Sequence, residues 1–213
     1  MKQFFQNMYQ KPHFLKRFLF CLAAVTTMGF CVSWLSLISL GADPCSCMNF
    51  GISALLGMSF GNWQALLNVF LFLIVIKTDP SNIGFGTVLN MFVVGYACDF
   101  MTFLRGKIWP GLVFTSLSSR LLVMIFVLAI FLVAVAVYMS VDLGTAPYDS
   151  IPIIIASHQN KVPFRAVRIL FDCIVTLIGF LTGATIGIAT LIMAFTIGPA
   201  ASFIKKYMDR YLA

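Results

Sequence analysis

The stretch "LGADPCSC" (Leu40–Cys47) decides how this chain is to be read. It interrupts a long apolar run with glycine, an acid and proline, and the chain turns apolar again at once over Met48–Phe60. The interruption returns as "LGTAPYDS" (Leu143–Ser150), at the end of a second long apolar run. Glycine permits non-helical backbone, and proline suits the first position of a new helix. A helix begun in this way inside a membrane turns unsatisfied N–H groups and about half a positive charge toward the interior. Matching breaks in two halves of a chain point to a transporter binding site. A Gly/Pro turn at the membrane surface followed by an interfacial helix is the alternative for either one alone.

Working outward, the 213 residues are 61% hydrophobic and only 10% charged, with a mean hydropathy of +0.99. No charged shell is available to cover so much apolar surface, so the class is an all-α, polytopic transmembrane helical bundle, one membrane domain over residues 1–213. The net charge of +7 does not indicate nucleic-acid binding, because the basic residues sit at the ends of apolar segments, as the positive-inside rule places them. The expected partners are the lipid bilayer and a small-molecule or ion substrate, with self-association left open. Phe18–Leu40 is too long for a signal peptide and no A-x-A site follows it, so it reads as a retained helix. Of the six cysteines, four lie in apolar spans, and Cys45 and Cys47 read as packing or incidental thiols.

The long spans expected are Phe18–Leu40, Phe60–Ile76, Gly84–Leu104, Leu112–Val141, Phe164–Leu181 and Ile186–Ile204, with short pieces at Cys45–Met58 and Tyr148–Ser157. A shift of 103 residues lays Leu40, Gly41 and Pro44 on Leu143, Gly144 and Pro147. The same shift lays "IGFGTVLNMFVVGYACDF" (Ile83–Phe100) on "IGIATLIMAFTIGPAASF" (Ile186–Phe203), with seven of eighteen positions identical. Two matches at one offset indicate a duplication, with repeats of about 14–104 and 112–208. Tyr148–Ser157 offers about ten residues, roughly half the length a spanning helix needs. Read as half-helices, the short pieces give an inverted three-plus-three arrangement with both termini cytoplasmic and Arg105, Lys107 and Arg120 on the opposite side. Read as spans, they give a parallel four-plus-four arrangement that leaves only Lys77 outside.

The residues that stand out as a substrate or ion pathway are Gly41, Pro44, Gly144, Pro147, Asp149, Asp172, Arg168 and Asn68. Asp149 stands two residues after Pro147, where N-capping, cation coordination or proton uptake would use it. Asp172 is mid-span, where a charge costs about 2.5–3.5 kcal/mol or more, and Arg168 lies one turn earlier on the same face. Asn68 is the matching residue of the first half at an offset of 104. The competing role for Asp172 is a structural ion pair between packed helices. Asp99, near Arg105, reads as a boundary charge. No H-E-x-x-H, nucleophile elbow, P-loop or dinucleotide fingerprint is present, and two histidines near span ends make a poor case for a metal or haem. The reading is of a chain with no cofactor and no enzymatic activity.

The stretches "LGADPCS", "LGTAPYD", "GMSFGNWQALLNVFLFL" and "NIGFGTVLNMFVVGYACDF" resemble the bacterial YczE/YyaS/YitT-type integral membrane proteins. Pro147, Tyr148 and Asp149 match that pattern, whereas Cys45 and Ser46 stand where it has an aromatic and an acid. The resemblance implies a bacterial inner-membrane protein. The functions that fit are a small secondary transporter or permease and, as the alternative, a non-transporting accessory or scaffold protein.

Overall fold

The computed structural model describes residues 13–159, 162–197 and 203–204. Among them are eight α-helices, a short 3-10 turn at Pro80–Asn82 and no strand: α1 (Phe14–Ile38), α2 (Pro44–Leu55), α3 (Phe60–Thr78), α4 (Phe85–Ile108), α5 (Leu117–Ser140), α6 (Pro147–His158), α7 (Phe164–Leu181) and α8 (Ile188–Ile197). The basic tail at 205–213 and Lys2 and Lys11 of the N-terminal arm, on which the expected orientation partly rested, lie outside the described residues.

Four helices, α1, α3, α4 and α5, are long and apolar enough to cross a membrane. Their outward faces carry large apolar side chains such as Leu66, Phe70, Phe103, Ile125 and Phe126 in exposed positions. A face of that kind needs lipid to cover it. The chain is a multi-pass membrane protein. The fifth expected span, α7, has its expected bounds but carries Arg165, Arg168 and Asp172 in its 18 residues. The sixth is described as helix over Ile188–Ile197, and its continuation falls partly outside the described residues. The fourth starts later than expected, because Ser116 caps α5 by accepting from the Ser119 amide at 3.2 Å.

The two short helices are 12 residues each, about 18 Å at the α-helical rise, against a hydrocarbon core of about 30 Å. Each packs across the chain midpoint: α2 lies on α7, and α6 lies on α3 and α7. Between α1 and α2, Ser39 and Gly41 take positive φ angles of 49° and 92°; between α5 and α6, Asp142 and Gly144 take 53° and 111°. These are the same two positions at an offset of 103.

The hydrogen bonds around the breaks repeat at that offset as well. The Gly86 amide donates to the Leu143 carbonyl at 2.8 Å, and the Ala189 amide to the Leu40 carbonyl at 3.0 Å. Arg17, in the first turn of α1, donates to the Val141 carbonyl beyond the end of α5 at 3.0 Å. Arg120, in the first turn of α5, donates to the Ile38 carbonyl at the end of α1 at 2.6 Å, and to Ser39 at 2.8 Å. The start of each helix thus meets the end of the other, so α1 and α5 run antiparallel. Val32, Leu35, Ile38 and Phe131 are buried in the largest apolar core, around α1 and α5, with Met193 of α8.

The glycines of the breaks are sterically required. A Cβ on Gly144 would sit 2.6 Å from Thr87 Oγ1 and 2.8 Å from Gly84 Cα; one on Gly41 would sit 2.7 Å from the Gly187 amide nitrogen. Gly144→Ala combines this clash with a left-handed backbone and is expected to destabilise the protein by more than about 1 kcal/mol. Gly106→Ala, within α4 and with open space at its Cβ, is expected to be neutral or to stabilise by up to about 1 kcal/mol. Thermal unfolding of the two purified variants in detergent checks the contrast.

Candidate functional site

Both breaks open on one cavity of about 590 Å³. The first short helix begins with Pro44 at its first position and Asp43 as its cap, whose Oδ1 accepts from the Ser46 amide at 3.0 Å. The second begins with Pro147, and its cap position is Ala146, which offers no side-chain acceptor. Asp149 is therefore not the N-cap expected from the sequence. It stands in the first turn of α6, and its Oδ1 accepts from Arg168 Nη1 at 2.7 Å.

Arg168 links two helices through two carboxylates. Its Nε donates to Asp172 Oδ2 at 2.9 Å, one turn along α7. The other oxygen of Asp172 accepts from the Tyr148 hydroxyl at 2.7 Å. The Tyr148 ring lies 5.4 Å from the guanidinium carbon, within cation–π range. One arginine is thereby fixed between an acid of α6, an acid of α7 and an aromatic face, and Asp172 has both oxygens engaged.

Amides line the cavity as well. Gln64 and Asn68 of α3 and Asn90 of α4 are buried and border the cavity. Gln64 Oε1 has no hydrogen-bond partner among the described residues. The offset that matches Asn68 with Asp172 also matches Gln64 with Arg168. The first half thus carries a neutral i,i+4 amide pair where the second carries an ion pair. Met28, Val32, Phe131 and Val135 supply much of the apolar remainder of the wall.

Of the residues singled out in the sequence, Pro44, Asn68, Asp149, Arg168 and Asp172 border the cavity. Gly41, Gly144 and Pro147 do not. The glycines sit behind it, against Gly187 and Thr190 and against Gly84 and Thr87, and Pro147 is fully buried. Gln64, which also borders the cavity, is the counterpart of Arg168 at the offset of 104. No role was expected of Asp43, although an Asp-Pro pair is a helix-start signal. Cys47 packs, its Sγ 3.3 Å from the Ala42 amide nitrogen, whereas Cys45 borders the cavity. Asp99 is not a simple boundary charge near Arg105: its Oδ2 accepts from the Gly61 amide at 3.0 Å, and Arg105 instead donates to the Ser33 carbonyl at 2.8 Å. Among the described residues, no three His, Cys, Asp or Glu side chains gather closely enough to hold a metal ion.

Both breaks and all of these side chains fall within residues 15–206, which match the family of unknown function DUF6198. The chain belongs to that family. It is also 25% identical over 189 residues to an uncharacterized protein of Haemophilus influenzae, covering 89% of this chain and 83% of that relative. No solved structure matches the chain. Neither description names a substrate or reaction, so the chemistry of this family member's site follows from its geometry.

Removing Arg168 leaves two carboxylates facing each other in a largely apolar wall. Arg168→Met is expected to destabilise the protein by about 3 kcal/mol. Tyr148→Phe, which removes one hydrogen bond to a charged group, is expected to cost about 1.5–3 kcal/mol. Adding Asp149→Asn and Asp172→Asn to Arg168→Met should recover part of the loss. Unfolding midpoints of the single and triple variants test the order.

Proposed function

We propose that this protein is a small secondary transporter or permease of the bacterial inner membrane, with its substrate site between the two short helices. The observation that carries the reading is that the N-termini of α2 and α6 open on one cavity, where Asp43, Asp149, Asp172 and Arg168 border an otherwise largely apolar wall. Ionisable groups at such depth are costly, and a pathway for a solute or coupling ion is the default reason to keep them. Broken helices whose ends meet at a central site are the way many transporters bind substrate near the bilayer midplane.

An inverted three-plus-three repeat fits this proposal. Its support is the exchange of matched hydrogen bonds at an offset of 103, together with the antiparallel course of α1 and α5. In that arrangement α2 and α6 enter from opposite faces and return, both termini are cytoplasmic, and the halves rock against each other to expose the site alternately. The likeness to YczE/YyaS/YitT-type proteins and the absence of an enzymatic role belong to the same proposal.

A scaffold role is favoured by one observation: both oxygens of Asp172 are engaged within the protein, as a purely structural ion pair would have them. In the transporter reading the same contacts make Asp172 a positioning residue that holds Arg168 and Tyr148.

Cys45 borders the cavity and serves as a native reporter. In a variant that keeps only this cysteine, membrane-impermeant maleimide is expected to label it from either face of oriented vesicles. Asp172→Asn is expected to restrict labelling to one face and to abolish uptake while the protein stays folded. One-sided labelling of the parent variant would instead support the scaffold.

A further inference from the structure

We infer that the cavity is built for a monovalent organic cation, a protonated amine with N–H groups and an apolar body, and not for an anion. The inference deepens the transporter reading and rests on it. Two helix N-termini facing one cavity would ordinarily attract a negative group. Here each is already met by a carboxylate of its own: Asp43 accepts from the Ser46 amide at the start of α2, and Asp149 stands in the first turn of α6. The positive ends of both dipoles are therefore countered before any substrate arrives.

The remaining charge has the opposite sign. Asp43, Asp149 and Asp172 border the cavity against Arg168 and Arg165, and Arg165 is exposed. Arg168 is shared between two acids, so its charge is not free to hold a substrate carboxylate. Three carboxylates thus stand against two guanidinium groups on the cavity wall.

Buried amides and carboxylates supply the hydrogen-bonding groups of the wall. Gln64 is 5% exposed, and its Oε1 lacks a donor among the described residues. A buried acceptor without a partner is costly, and a turn of this side chain toward the cavity would let a substrate N–H satisfy it. Asp149 has one oxygen engaged, by Arg168, which leaves the second for a ligand. The apolar side chains, Phe131 and the Tyr148 ring among them, would cover a hydrocarbon or aromatic body and face its charge. Among the described residues, no three His, Cys, Asp or Glu side chains gather to hold a bare metal ion. The volume of about 590 Å³ lies in the range of small-molecule sites.

The test uses the full chain, purified in nanodiscs, with 2-phenylethylamine and cyclohexylmethylamine set against the alcohol and carboxylate of the same carbon skeletons. The amines are expected to raise the unfolding midpoint saturably, and the alcohols and carboxylates to leave it unchanged. Asp43→Asn removes the charge but keeps a capping side chain, since Asn caps as well as Asp. It is expected to weaken half-saturation by about tenfold, as is Gln64→Leu. Stabilisation by the carboxylates, equal stabilisation by all three classes, or response to none of them overturns the cation assignment. Proteoliposome flux separates this from the parent reading. Amines that bind but are not carried overturn the transporter and leave the cation site standing, whereas carriage of the carboxylates does the reverse.

Discussion

The backbone groups freed where α1 and α5 break off are largely buried and need a partner inside the protein, because an unsatisfied buried group is costly. The solution is the same at both breaks. A guanidinium from the start of one helix takes the carbonyls at the end of the other: Arg120 takes Ile38 and Ser39, and Arg17 takes Val141. The next free carbonyls, those of Leu40 and Leu143, go to the amides of Ala189 and Gly86. Every one of these partners comes from the opposite half of the chain. Neither half can close its own break, and the glycines follow from this, because backbone must reach backbone with no Cβ between.

That constraint also makes the cavity. Closing the breaks in this way brings the first turns of α2 and α6 to a shared space. Pro44 and Pro147 fit these starts because a first helical position needs no N–H. The proline positions are matched, but the chemistry beside them is not. One break carries Asp43, Cys45 and Ser46; the other carries Ala146, Tyr148 and Asp149. The helix that follows carries Gln64 and Asn68 in one half and Arg168 and Asp172 in the other. A matched frame thus carries a neutral amide pair on one helix and an ion pair on its counterpart.

Much of this was legible in the sequence. The apolar runs, the two breaks and their common offset could be read because each depends on local chain chemistry: hydropathy over some twenty residues, glycine for positive φ, proline for a helix start. The i,i+4 pairing of Arg168 with Asp172 was legible too, since helix geometry places those residues on one face. Asp149 was misread as a cap because the sequence shows an acid near a helix start but not the arginine 19 positions away that claims it. Asp99 was misread similarly: its partner, the Gly61 amide, lies 38 residues away on a neighbouring helix.

The sequence by itself determined that this chain is helical and membrane-embedded, that it breaks twice in register, and that it places ionisable residues within or beside apolar helices. Those properties are set by interactions within a turn or a span. Only the tertiary structure decided which carboxylate pairs with which cation, that Gly41 and Gly144 support the cavity from behind, and that Gln64 reaches its wall with an unpaired oxygen. The reason is physical. Hydrogen bonds and ion pairs depend on positions to a fraction of an ångström, and residues from opposite halves acquire those positions only when the helices pack.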